Sequence, residues 1–76
     1  MKFKRLVEQM RHVIKIEGPR YKGGILTFRY KNRRDIFIFK SSKFKNAYII
    51  QDSMAWSRIL TPEELNLKSI LKVLEE

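Results

Sequence analysis

The chain has no cysteine, one histidine, one tryptophan, two prolines and three glycines among its 76 residues. Without cysteine there is no disulfide and no thiolate to hold zinc, and the lone His12 cannot assemble a zinc site by itself. Cysteine-free composition also fits a reducing compartment, so a cytoplasmic location is expected. Long hydrophobic runs are missing too. The longest uninterrupted ones, at 36–39 and 47–50, have four residues each, against the roughly 18 needed to span a membrane. The basic start (Lys2, Lys4, Arg5) is followed by Glu8 and Gln9 rather than by a signal-peptide core. No membrane partner is expected.

Catalytic chemistry is also sparse. Gly23-Gly24 is not followed by the Lys-Ser/Thr of a phosphate loop. A metal-dependent nuclease needs converging acids. Of the eight present, Glu63, Glu64, Glu75 and Glu76 fall at helix ends, while Glu8, Glu17, Asp35 and Asp52 are scattered. The last three lie near strand ends, which is the one place a weak acidic cluster could form. The expectation is a protein without catalytic residues, metal or cofactor.

What is abundant is positive charge, and it is unevenly placed. Residues 1–52 hold fourteen basic and four acidic side chains, and residues 53–76 hold three and four, within a net charge of +9. Between Arg20 and Lys45 stand Arg20, Lys22, Arg29, Lys31, Arg33, Arg34, Lys40, Lys43 and Lys45 against the single acid Asp35. Apolar residues are threaded through this stretch (Ile25, Leu26, Phe28, Tyr30, Ile36–Phe39, Tyr48–Ile50), so the charge is displayed on a folded sheet rather than a solvated tail. A folded surface of that sign attracts an anionic partner, of which nucleic acid is the commonest.

The pattern reads as one small basic α+β domain, 1–76. Its order is an N-terminal helix, a three-stranded antiparallel meander and a C-terminal helix packed on the sheet. A chain of this length buries about 60 % of its unfolded surface, for a stability on the order of 5 kcal/mol. Phe3, Leu6, Val7, Met10, Val13 and Ile14 make a helical stripe, after which 12–17 is ambiguous between helix end and strand. Gly18-Pro19 reads as a terminator. Strand one runs from Ile25 to Lys31 with Leu26, Phe28 and Tyr30 on one side. Ile36–Lys40, apolar in both parities, reads as the central strand, and 47–52 as the third. Residues 52–60, with Trp56 as a core anchor, suggest a short helical turn. Thr61-Pro62-Glu63-Glu64 is a capping box with proline at the first helical position, and Leu60 and Leu65 stand at the staple positions. The expected core is Leu26, Phe28, Ile36, Phe37, Ile38, Ile49, Ile50, Leu67, Ile70 and Leu71.

In a meander the approach to strand one and the connection between strands two and three share an end. That end gathers Arg20, Lys22, Lys40, Lys43 and Lys45 with the rings of Tyr21 and Phe44, and Arg29 and Lys31 extend the charge along strand one. Cations beside exposed rings contact phosphates and stack on bases. These nine residues are the candidate nucleic-acid-binding set. Arg33 and Arg34 fall at the opposite end. DNA and RNA remain equally open, as does oligomeric state. The alternative function is a protein-interaction module, of the kind found among phage inhibitors and small complex subunits, docking on an acidic protein surface.

In topology the α-β-β-β-α order and the length are similar to the double-stranded-RNA-binding domain, whose two helices and a loop cross the RNA minor groove. Where that family carries a phosphate-gripping lysine cluster, this chain has the acidic Thr61-Pro62-Glu63-Glu64, so the similarity ends at topology. A three-stranded sheet with a C-terminal helix also occurs in proteins that insert a sheet into the DNA major groove, again an analogy of fold.

Overall fold

Hydrophobic spacing sets the first element. Phe3, Leu6, Val7 and Met10 fall on one side of α1 (Lys2–Met10) and are buried. The computed structural model describes residues 2–31, 34–53 and 56–76. The helix stops at Met10, so Val13 is half-buried and Ile14, 98 % exposed, leaves the stripe altogether. Five strands follow: β1 (Ile16–Lys22), β2 (Ile25–Tyr30), β3 (Arg34–Lys40), β4 (Tyr48–Asp52) and β5 (Ser57–Leu60). They pair in chain order as an antiparallel meander. A helical turn at Pro62–Glu64 and α2 (Leu67–Leu74) complete the chain. The class is α+β with two helices, as expected, but the sheet has five strands and not three. The α-β-β-β-α order behind the topological likeness to the double-stranded-RNA-binding domain is therefore not the order of this chain.

Both missed strands lie at the sheet edges. Gly18-Pro19 was expected to end an element, yet it sits inside β1. Proline is tolerated on an edge strand because its missing N–H faces no partner. Here the register slips between Glu17 and Arg20, and Gly18 takes φ +57°, so the pair forms a bulge. Gly23 and Gly24, both at positive φ (61° and 80°), make the two-residue connection from β1 to β2. β5 replaces the expected helical turn after Asp52. It pairs with β4 from Gln51–Ser57 to Tyr48–Leu60.

The core lies on one face of the sheet. Ile16, Leu26, Phe28, Tyr30, Ile36, Ile38, Ile50 and Leu60 pack there against α1 and against Leu65, Ile70, Val73 and Leu74. Phe37 and Ile49 were expected in this core but belong to the other face and are half-buried, because successive strand residues point to opposite sides. Leu67 and Leu71 are also half-buried, at the margin between α1 and α2.

The expected C-terminal helix from Pro62 is divided. The Thr61 N–H donates to Glu64 Oε1 at 2.9 Å, and the Glu64 N–H donates to the Thr61 carbonyl at 3.0 Å, closing only a single 3-10 turn. Leu60 and Leu65 on either side of it are buried. The α-helix begins after Asn66, whose Oδ1 accepts the Ser69 N–H at 2.9 Å. That side chain satisfies a donor the helix cannot satisfy for itself. Among the described residues, no helix is long and apolar enough to cross a membrane.

Candidate nucleic-acid interface

Strand register arranges the second sheet face, which faces away from both helices, in three rows. One runs Lys22, Ile25, Phe39, Ile49 and Ile59 across β1 to β5. The next runs Arg20, Thr27, Phe37, Gln51 and Ser57. The third holds Glu17, Arg29 and Asp35. Each of the first two rows starts with a cation on β1 and carries one phenylalanine on β3. Ile25 and Ile59 are 41 % and 53 % exposed, and Phe37, Phe39 and Ile49 are half-buried. These residues form a contiguous apolar surface across the middle of the sheet.

The two ends of the sheet differ in charge. At the end holding the β1–β2 turn and the β3–β4 connection stand Lys22, Lys40, Lys43 and Lys45, with Arg20 one row below. All five are exposed, and none makes an ion pair with a described residue. The connection that carries Lys43 and Lys45 is held in shape by Ser41. Its Oγ accepts the N–H groups of Lys43 (3.1 Å) and Phe44 (3.0 Å), and its own N–H donates to the Ala47 carbonyl at 2.9 Å. Phe44 is 50 % exposed, with Lys43 Nζ 5.8 Å from its ring centroid.

At the other end the described cations are matched. Lys15 and Lys31 reach Glu75 at 3.6 and 3.2 Å, while Arg58, in the row of Tyr21 midway along the sheet, pairs with Glu76. Arg34 lies 3.4 Å from the buried Asp52 and over the ring of Trp56, 5.2 Å from its centroid. The half-buried Trp56 is locked by its N–H to Asp52 Oδ1 and by its carbonyl, which accepts the Asp52 N–H. Arg29 lies 3.5 Å from Asp35. Glu75 after α2 and the strand acids Asp35 and Asp52 thus neutralise the described cations of this end.

The nine sequence-derived site residues therefore separate. Lys22, Lys40, Lys43, Lys45 and Phe44 fall at one end, Lys40 on the helix side of the sheet and Lys22 on the open side, and Arg20 lies two residues in from Lys22 on the open face. Arg29 is paired on the sheet face, and Lys31 turns to the helix side. Tyr21 faces the helices, stacked on Phe3 with ring centroids 4.7 Å apart and an interplanar angle of 9°, so it helps dock α1. Arg33 lies outside the described residues. Of the acids considered for a metal, Glu17 and Asp35 flank Arg29 on one face while Asp52 is on the other. Sequence reasoning missed the open face itself, with Phe37, Phe39, Ile25, Ile49 and Ile59. The available signal is the double-parity apolar run 36–39, which the sequence reading takes only as the mark of a central strand. Comparison with protein families, curated proteins and solved structures finds no match to this chain.

Proposed function

We propose that the chain is a non-catalytic nucleic-acid-binding protein that contacts phosphates through its basic sheet end and β3–β4 connection. The observation that carries this reading is the contrast in charge pairing. Lys22, Lys40, Lys43 and Lys45 crowd one end, with Arg20 further along the strand of Lys22, all without counter-charges among the described residues, while the described cations of the other end are neutralised from within. Like charges held together repel and cost stability, and a polyanion relieves that repulsion while releasing its own counterions.

The test is binding to random-sequence DNA and RNA over a range of salt concentration. Neutralising about five phosphates should give a log–log salt slope of about −4 to −5 on duplex DNA, or about −3.5 on single strands. Replacing Lys40, Lys43 and Lys45 with alanine should weaken all sequences alike and flatten the slope by up to about 3, because phosphate contacts position without specifying. Glu63→Gln with Glu64→Gln, on the 3-10 turn, should leave binding intact or slightly stronger. Absence of binding at low salt would transfer the function to the alternative, docking on an acidic protein surface.

A further inference from the structure

We infer that the open sheet face is a stacking platform for a single-stranded polynucleotide, with one base on Phe37, one on Phe39, and the strand's phosphates led toward Arg20, Lys22 and the β3–β4 lysines. This inference rests on the nucleic-acid reading above and narrows it from a phosphate-binding end to a base-binding face.

Three features of the face select this occupant. The first is spacing. Phe37 and Phe39 are two residues apart on one strand, so their positions are about 7 Å apart, roughly twice the 3.4 Å rise per nucleotide in a duplex strand. Two neighbouring bases can each cover one ring only if the strand is extended. In a duplex the ring faces of the bases are buried in the stack and cannot meet a sheet at all. The second feature is register. Each phenylalanine shares its row with a cation on β1, Lys22 with Phe39 and Arg20 with Phe37. That cation lies two strand spacings away, or about 10 Å, so a base on the ring and a phosphate toward the sheet edge can be engaged together. The flanking Ile25 and Ile49 offer apolar surface to the base edges, and Gln51 and Thr27 offer hydrogen-bonding groups beside Phe37.

The third feature is charge. A second copy of the chain could cover an apolar face, but it would bring a net +9 against another +9. The two β1 cations nearest the phenylalanines, Lys22 and Arg20, are unpaired among the described residues. A polyanion meets them with opposite charge. The row of Glu17 and the paired Arg29 and Asp35 bounds the platform on the side away from the lysines.

The experiment compares three probes with the intact protein: an oligothymidylate of about twelve nucleotides, within the site sizes such surfaces cover, an abasic strand of the same length and charge, and a duplex of the same length. The oligothymidylate should bind at least about tenfold more tightly than the abasic strand, since each stacked base is worth several-fold or more in affinity. It should also bind more tightly than the duplex. Phe37→Leu with Phe39→Leu keeps the surface apolar and should erase most of the gap between oligothymidylate and abasic strand, leaving the salt slope unchanged. Phe39→Trp supplies a second readout that does not depend on losing affinity, because its fluorescence should be quenched by oligothymidylate and not by the abasic strand. Equal binding of the abasic strand, or tighter binding of the duplex, would overturn the platform while leaving phosphate binding in place. A protein that is dimeric in solution, and becomes monomeric in the double leucine variant, would also overturn it. Failure of all three probes at low salt would remove the nucleic-acid reading and this inference with it.

Discussion

The two sides of β3 have the same hydrophobicity and opposite fates. Ile36 and Ile38 are fully buried beneath the helices, whereas Phe37 and Phe39, interleaved with them, are half-buried on a face no helix covers. A strand apolar in both parities is ordinarily explained by layers on both faces. Here two helices provide one layer, and the second set of apolar residues is left for contact with solvent or a partner. The lesson is that a small domain with little surface to spare can place aromatic side chains beside its basic residues without making them core. The charged ends repeat the contrast: the described cations of one are neutralised by Glu75, Asp35 and Asp52, and those of the other are left unpaired among the described residues.

The strongest test of the two-face contrast is stability. Ile38→Ala should cost about 2–5 kcal/mol through lost burial and the cavity left behind, comparable with the whole stability of a domain this small. Phe37→Ala, which opens no enclosed cavity, should cost clearly less, about 1 kcal/mol. Denaturant unfolding of both variants checks the order. Equal losses would mean that the open face is covered after all.

A smaller effect separates the two capped segments before and within α2. Asn66→Ala should lose about 1 kcal/mol because the Ser69 N–H loses its acceptor. Thr61→Ala should lose less, since only a short 3-10 turn follows it and Leu60 and Leu65 hold it on either side. Thermal melts of the two variants would reverse in order if a continuous helix began at Pro62.

The smallest effect is a pH dependence at that same turn. The Thr61 N–H donating to the Glu64 carboxylate, the largest cause, holds the carboxyl below the usual glutamate range, with Arg58 contributing. A depressed folded-state pKa stabilises above the unfolded value and ceases to do so as pH falls through the folded one. Acidification below the ordinary glutamate range should therefore destabilise the wild type slightly more than Glu64→Gln. Parallel pH curves for the two proteins would show that the contact contributes nothing in solution.

Much of the fold is legible in the sequence because burial follows period. The stripe of α1, the alternation of β2 and the positions of Ile36, Ile38 and Ile50 all follow from spacing. The edges are not legible in that way. β1 contains Gly18-Pro19, a pair that breaks a central strand but suits a bulged edge. β5 has four residues and no apolar alternation, since Ser57 and Arg58 are polar and Ile59-Leu60 are adjacent. Its pairing is decided by β4 rather than by its own pattern. The start of α2 was obscured because the capping box at Thr61 is genuine local chemistry that closes only one turn. The basic end was readable because connectivity alone brings Lys22 and Lys40–Lys45 together. The aromatic face was not, because the run Ile36–Phe39 does not say which parity the helices will cover.

The distribution of isoleucine offers the most direct measurement. Ile25, Ile49 and Ile59 share one row of the open face, while Ile36, Ile38, Ile50 and Ile70 are fully buried in the core. In a methyl-labelled sample titrated with a single-stranded oligonucleotide, the three open-face methyl resonances should shift together and saturate with binding, and the four core resonances should stay in place. Saturable binding that leaves Ile25, Ile49 and Ile59 unmoved would contradict the account.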